Sequence, residues 1–205
     1  EEGPVGVISQ SGTFAEQFLS IGTLRNVKFS KVISYGNAID LDCPDFLEYL
    51  ANDPDTTVIA LYIEGTKNGQ QLKATMTEAA KLKPVLALKG GVTEHGRRAA
   101  SSHTGAIVKG SPILFDTALT QAGAVRAYTL EEFFDFAKVF EFLAPLKLTG
   151  NRIALACLSG GEGAIVTDMC QERGFSLAKV NPETYVKLQE VGPPWKVPPN
   201  PFDIG

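Results

Sequence analysis

The sequence predicts an α/β protein made of two consecutive parallel-sheet domains, of which the second is incomplete. Short apolar runs rich in β-branched residues alternate with helical stretches along the chain, as they do in right-handed β-α-β crossovers. The apolar runs are continuous rather than alternating with polar residues, so we expect strands that are covered on both faces, as parallel strands are.

The first domain is assigned to residues 1–143. Its predicted strands are Val5–Ser9, Phe29–Ser34, Thr57–Ile63, Pro84–Leu88 and Val125–Ala127. Its predicted helices are Gly12–Ile21, Pro44–Ala51, Gly69–Leu82, Ser111–Ala122 and Leu130–Leu143. Five strands in this rhythm are typical of a doubly wound, flavodoxin-like sheet, whose ligands bind at the carboxyl ends of the strands.

The second domain is assigned to residues 151–205, after a predicted linker at 144–150 where Pro and Gly interrupt the apolar periodicity. Its predicted elements are a strand at Arg152–Leu158, a helix at Gly161–Arg173, a strand at Ser176–Val180 and a helix at Pro182–Glu190. The remaining residues up to Gly205 include five prolines and are predicted to be a loop. A single β-α-β unit cannot bury a stable core, so we expect part of a second flavodoxin-like domain.

Composition argues against several classes of function. A net charge of −4 and a pI near 5.3 disfavour nucleic acid and anionic membranes as partners. No apolar run approaches the roughly 20 residues of a membrane helix, and the acidic start is unlike a signal peptide. Three cysteines without paired or metal-ligand spacing indicate buried thiols in a reducing compartment, which we take to be the cytoplasm. With only two histidines, no metal site is predicted.

Two turns between a strand and a helix are candidate phosphate sites. The first contains Ser9, Ser11, Gly12 and Thr13, and the second contains Ser159, Gly160, Gly161 and Gly163. Small residues at a helix start leave backbone N–H groups and the positive end of the helix dipole open to an anion. Tight packing is the alternative explanation for either turn alone. Glu162 is an unfavourable anion in the second turn.

The stretch from residue 90 to residue 110 is predicted to lack regular structure. A loop of this length inside a compact domain is usually functional. It leaves the carboxyl edge of the sheet and contains both histidines. His103 lies between hydroxyl residues and is a candidate nucleophile, the alternative being a solvent-exposed side chain.

Glu64 ends the most apolar predicted strand and precedes a glycine. A carboxylate at this edge of the sheet could hold one imidazole nitrogen and leave the other free to attack. The alternative is that Glu64 only reaches solvent at the end of its strand.

Together these motifs resemble the NDP-forming acyl-CoA synthetase superfamily. The segments are Ser-Gln-Ser-Gly at 9–12, Tyr-Gly-Asn-Ala-Ile-Asp at 35–40, Leu-Tyr-Ile-Glu-Gly at 61–65, Lys-Pro-Val-Leu-Ala-Leu-Lys-Gly-Gly at 83–91 and Ala-Ala-Ser-Ser-His-Thr-Gly-Ala at 99–106. They are similar to ADP-forming acetate–CoA ligases and, more distantly, to succinyl-CoA synthetase alpha subunits. Residues 158–164 and 200–205 resemble the next ligase domain of the same superfamily.

The resemblance implies a ligase that converts acyl-CoA, phosphate and ADP into acid, CoA and ATP through an acyl phosphate and a phosphohistidine. It implies that His103 carries the transient phosphate, that Glu64 orients it, and that the two serine- and glycine-rich turns bind it. No other covalent cofactor is implied, while CoA, ADP or ATP and Mg²⁺ enter as substrates. Gly90, Gly91 and Gly105 would act as hinges of the histidine loop.

The family also implies partners that this sequence does not contain. These are a CoA-binding domain and an ATP-grasp domain, in the same polypeptide or in another subunit, within an oligomer. Two alternatives remain at this stage. A regulatory acyl-CoA-binding region of a fused protein acetyltransferase would often lack the reactive histidine. A receiver-like phosphoacceptor would carry clustered acidic residues where Ser9 and Ser11 stand.

Overall fold

The computed structural model describes residues 2–104, 111–143, 146 and 148–205, and for residues 101–104 it describes the backbone alone. The chain divides into two compact units, Glu1–Lys147 and Leu148–Gly205. Each unit is considered by itself below.

A five-stranded parallel sheet forms the centre of the first unit. Its strands are β1 (Glu2–Ser9), β2 (Phe29–Ser34), β3 (Val58–Ile63), β4 (Val85–Lys89) and β5 (Val125–Ala127). Its helices are α1 (Gly12–Leu24), α2 (Cys43–Asn52), α3 (Gly69–Leu82), α4 (Glu94–Thr104), α5 (Pro112–Ala122) and α6 (Leu130–Leu143). The strand order β2-β1-β3-β4-β5, with every pair parallel, confirms the predicted doubly wound fold.

The apolar core lies in two layers, one on each face of this sheet. Ile59, Leu61 and Ile63 of β3 pack towards α2, α3 and α5. The intervening residues Val58 and Ala60 pack towards α1 and α6. Successive side chains of a strand point to opposite faces, so a strand covered on both sides must be apolar at every position. This explains the continuous apolar runs in the sequence.

Helix α4 corrects one prediction, because residues 94–104 were expected to lack regular structure. The hydroxyl of Thr93 accepts a hydrogen bond from the Gly96 N–H at 3.0 Å, and the helix begins there. One turn later Arg98 pairs with Glu94 at 2.6 Å, a spacing that supports an exposed helix. The helix is difficult to predict from the sequence because Gly96, Ser101 and Ser102 are residues that favour turns over helix interiors.

The second unit contains two short parallel pairs of strands and two helices among its described residues. The pairs are β6 (Arg152–Ile153) with β8 (Ser176–Leu177), and β7 (Ala156–Cys157) with β9 (Phe202–Asp203). The helices are α7 (Gly160–Glu172) and α8 (Pro182–Val191).

Two predictions for this unit were wrong in detail. The single strand expected at 152–158 is two strands in different sheets, and the tail expected to be a loop supplies β9. The Asn200 side chain accounts for the first error. It accepts a hydrogen bond from the Leu155 N–H at 3.0 Å and donates to the Ile153 carbonyl at 3.0 Å, in place of a strand-to-strand ladder.

Candidate active site

The candidate site lies where β1, β3 and β4 end at the carboxyl edge of the first sheet. Ser9 is aligned with Tyr62 of β3, and Ile63 is aligned with Lys89 of β4. The next residues along these strands, Glu64 and Gly90, therefore leave the sheet side by side, close to the start of α1.

Glu64 is almost completely buried, with 6% of its surface exposed. Its Oε1 atom accepts a hydrogen bond from the Tyr62 hydroxyl at 3.0 Å. Its Oε2 atom is buried too, and no described residue places a donor within hydrogen-bond distance of it. A buried carboxyl oxygen without a donor is energetically unfavourable, so this atom is suited to a partner that arrives during function.

The main chain of Glu64 is fixed by Gln10. The Oε1 atom of Gln10 accepts hydrogen bonds from the N–H groups of Glu64 and Gly65 at 2.7 and 2.9 Å. Gln10 is itself buried. The sequence analysis quoted Gln10 inside a motif but gave it no role, because nothing local shows that it reaches β3.

Gly90 allows Tyr62 to reach Glu64. A Cβ atom at Gly90 would lie 2.6 Å from the Tyr62 hydroxyl oxygen and 3.3 Å from Glu64 Cγ. Its neighbour Gly91 has a positive φ of 66°, a conformation that residues with a Cβ adopt at a cost. The two glycines were predicted to be hinges; that role stays a prediction, and close packing accounts for Gly90 in this structure.

Tyr62 connects Glu64 to helix α1. Its ring packs on that of Phe14, in the first turn of α1, with the ring centroids 4.1 Å apart. Burial raises the pKa of the Tyr62 hydroxyl, and the nearby Glu64 raises it further. The hydroxyl therefore remains a hydrogen-bond donor to Glu64 at physiological pH.

The start of α1 is open to an anion. Ser11 caps the helix by accepting from the Phe14 N–H at 3.3 Å, while the Ser9 hydroxyl donates to the Ser11 carbonyl at 2.8 Å. Gly12 and Thr13 are exposed, and the first turn contains no acidic residue. The N–H groups of a first turn have no intrahelical acceptor, so this end of α1 combines free donors with the positive end of the dipole.

A partly buried lysine, Lys89, adds a cation to the same edge. Its Nζ atom donates to the carbonyl oxygens of Glu64 and Gly90. Burial, together with the nearby charges of Arg126 and Arg97, lowers the pKa of Lys89 to about 8, and the Glu64 carboxylate opposes this shift. The sequence analysis did not single out Lys89, because a lysine at a strand end ordinarily extends into solvent.

The second predicted phosphate turn begins α7 and differs in its electrostatics. Ser159 caps the helix by accepting from the Glu162 N–H at 3.2 Å, and Glu162 Oε2 accepts from the Leu158 N–H at 3.1 Å. Asp203 lies beside the same turn, with Oδ2 3.4 Å from the position of a Cβ on Gly160. Gly163 is buried, and a Cβ there would meet Pro201 at 3.2 Å. Two carboxyl groups make this turn less favourable for phosphate than the start of α1.

The remaining predicted residues are in part outside the described structure. His103 belongs to α4, nine residues after its first residue Glu94, and the side chain of His103 lies outside the described part of the structure. Gly105, which was predicted to be a hinge, also lies outside the described residues. The other histidine, His95, is exposed. Within the described part of the chain, no cluster of His, Cys, Asp and Glu could hold a metal ion, and no helix is long and apolar enough to cross a membrane.

Comparison with known proteins identifies several ADP-forming acetate–CoA ligases as relatives. The chain is 39% identical over 203 residues to an ADP-forming acetate–CoA ligase of Methanocaldococcus jannaschii, covering 99% of this chain and 28% of the relative. It is 38% identical over 204 residues to the alpha subunit of ADP-forming acetate–CoA ligase II of Pyrococcus furiosus, covering all of this chain and 44% of the relative. The chain thus spans less than half the length of either relative.

A solved structure is similar over the same range. It is the dinucleotide-forming acetyl-coenzyme A synthetase 1 of Ca. Korarchaeum cryptofilum in complex with phosphate and ADP. The TM-score is 0.80 at 34% identity, covering 99% of this chain and 44% of that one. The sequence model of one protein family, the succinyl-CoA ligase-like flavodoxin domain, matches residues 2–140, which is more than half of the 205 residues. The chain therefore belongs to the family of succinyl-CoA ligase-like flavodoxin domains.

Proposed function

We propose that this chain is the phosphohistidine-carrying part of an ADP-forming acyl-CoA synthetase. The observation that carries the proposal is the buried Oε2 atom of Glu64, which has no donor among the described residues although its partner oxygen is bonded to Tyr62. An imidazole N–H is a donor of the right kind for such an atom. The ADP-forming ligases among the relatives support the assignment of the reaction.

The reaction proceeds in three transfers. Phosphate attacks the thioester carbon of acyl-CoA, which gives an acyl phosphate and releases CoA as its thiol. The free ring nitrogen of His103 then attacks the phosphorus atom, and the carboxylate leaves. ADP finally takes the phosphoryl group from the histidine to give ATP, and Mg²⁺ accompanies the nucleotide.

The described residues contribute positioning and charge stabilisation, which are what phosphoryl transfer chiefly needs. Glu64 would hold one imidazole nitrogen of His103 so that the other faces the phosphorus atom. The start of α1, with Ser9, Ser11, Gly12 and Thr13, would supply N–H donors and the dipole to the phosphoryl oxygens. Each such helix end contributes about 0.3–1 kcal/mol near the surface.

The second anion site is the turn of Ser159, Gly160, Gly161 and Gly163, at the start of α7. Glu162 and Asp203 lie at this turn. We therefore assign the larger share of phosphate binding to α1.

The complete reaction needs components beyond this chain. We propose that a CoA-binding domain and an ATP-grasp domain, in the same polypeptide or in a partner subunit, bring CoA and ADP to the histidine. The whole enzyme would be an oligomer in the cytoplasm, where unpaired cysteines such as the buried Cys43 stay reduced.

The test is phosphorylation of the full-length protein by γ-labelled ATP and magnesium. We expect label that survives alkali, is lost in mild acid and is absent in His103→Ala. Glu64→Gln should slow labelling by about 10²-fold, in the range typical of an orienting or acid–base residue. An unlabelled protein that still binds acyl-CoA would favour the regulatory alternative instead.

A further inference from the structure

A cavity of about 530 Å³ lies on the other side of the first sheet from the Glu64 carboxyl group. Helices α3 and α5 form its walls, and the ends of β3 and β4 form its floor. Leu72, Met76, Leu114, Phe115 and Leu119 give it a mainly apolar lining. Its volume is in the range of small-molecule sites, which is about 300–1,000 Å³.

Three lysines surround this cavity. Lys67, Lys73 and Lys89 line it, and among its described lining residues none is Asp or Glu. The ammonium groups of Lys67 and Lys73 donate to the neutral oxygens of Ala38 and Gln121, and that of Lys89 donates to main-chain carbonyls. Because each of these acceptors is uncharged, the cavity combines an apolar interior with a positively charged rim, although the Glu64 carboxylate partly offsets the charge at Lys89.

The cavity and the Glu64 carboxyl group lie on opposite faces of the same strands. Tyr62 packs with α1 and α6, whereas Ile63 packs with α3 and α5. On β4, Leu88 faces α1 and α6, so Lys89 faces α3 and α5. On that side the Nζ atom of Lys89 lies 5.8 Å from the centre of the Phe115 ring. The cavity is therefore separate from the anion site at the start of α1.

We propose that the cavity between α3 and α5 binds a monocarboxylate with an apolar chain. The carboxylate would lie among the three lysines, and the chain would extend between Met76 and Leu119. A polyanion such as a nucleotide would leave the apolar walls unused, and a neutral hydrocarbon would leave the cations unpaired. Burial lowers the pKa of Lys89, and a carboxylate beside its ammonium group would oppose that shift.

The experiment is isothermal titration of the full-length protein with butyrate, hexanoate and octanoate, with octylamine and 1-octanol for comparison. We expect affinity to rise roughly threefold to fourfold for each added methylene group as the chain enters the apolar interior. Octanoate should bind more tightly than octanol, and octylamine should bind least. Octylamine binding as tightly as octanoate would overturn the proposal.

Two pairs of variants locate the ligand. Ala118→Trp fills the cavity and should weaken octanoate binding by at least about tenfold, since a filled cavity has no room for the chain. Ala74→Trp makes the same change on the exposed side of α3 and should have no effect. Lys73→Gln removes one cation of the rim and should weaken octanoate but not octanol. Lys81→Gln, on the same helix and paired with Glu78, is its control.

Competition with inorganic phosphate tests the separation of the two sites. Phosphate should leave octanoate binding unchanged, because it would bind at α1. Displacement of octanoate by phosphate, or equal octanoate affinity in Ala118→Trp and the wild type, would refute the assignment. These titrations involve no turnover, so their outcome is independent of the phosphohistidine reaction.

Discussion

Replacement of Gly90 by alanine tests whether close packing at the end of β4 sets the geometry of Glu64. The added Cβ would lie 2.6 Å from the Tyr62 hydroxyl oxygen, 3.2 Å from Tyr62 Cζ and 3.3 Å from Glu64 Cγ. Ordinary contacts of this kind begin near 3.4 Å, so the hydroxyl must retreat by about 0.8 Å. That displacement would break its 3.0 Å hydrogen bond to Glu64.

A displacement of this size is expected to reduce phosphorylation strongly. Misplacement of a catalytic group by about 1 Å can lower a rate by roughly 10²-fold, and we expect a loss of that order for Gly90→Ala. The assay is the initial rate of labelling of the full-length protein by γ-labelled ATP. The matched control is Gly65→Ala in the same cluster, since a Cβ there meets nothing within 4 Å. It should label at close to the wild-type rate.

A second substitution separates the clash from other effects of alanine. Tyr62→Phe removes the hydroxyl oxygen, the atom nearest to the new methyl group. By itself it should slow labelling, because Glu64 loses its donor. Combined with Gly90→Ala it should label faster than Gly90→Ala alone. A wild-type rate in Gly90→Ala, or no recovery in the double variant, would refute the reasoning.

Two further predictions concern stability. Gly22→Ala places a methyl group against the Phe29 ring, with Cε2 only 2.6 Å away, and should lower the free energy of unfolding by about 1–3 kcal/mol; an unchanged urea midpoint would contradict this. Hydrogen bonds from Lys31 and Thr56 lower the pKa of Asp53 below its usual 3.8. The stabilisation from this depressed pKa is present above 3.8 and is lost as the pH falls through the folded-state value. Asp53→Asn should therefore flatten the loss of thermal stability in acid, and an identical acid profile would argue against it.

The sheet could be predicted because its strands are recognisable from their own residues, without knowledge of their partners. A parallel strand that is covered on both faces is apolar at every position, and β3 is of this type from Val58 to Ile63. The same pattern placed Glu64 correctly at the carboxyl edge, since the apolar run stops there. The surroundings of Glu64 could not be predicted, because they include Gln10, which follows β1 and lies 54 residues away in the sequence.

The parts that were missed depend on contacts that are distant in sequence. Strand β9 pairs with β7 across about 45 residues, and its composition alone suggested a loop. Gln10 acts on an N–H group 54 residues away. Helix α4 is a different case, since its cap at Thr93 is local, but Gly96 is a residue with a low helix propensity. Local patterns therefore identified the elements and their edges, whereas the supporting residues of the site required the fold.

The alternation of side chains along a strand explains how one sheet edge can hold two chemically different sites. Lys89 is aligned with Ile63, and the side chains of aligned residues point to the same face of the sheet. Glu64 is the next residue after Ile63, so its side chain points to the opposite face from that of Lys89. A shift of register by one residue would exchange the two faces, so the pairing of β3 with β4 is as important for both sites as any single side chain. The hydrogen bond from Lys89 to the Glu64 carbonyl crosses this divide. A carboxylate that draws Lys89 towards the cavity would loosen the main chain of Glu64, so occupancy of the cavity is expected to slow phosphorylation of the histidine rather than accelerate it.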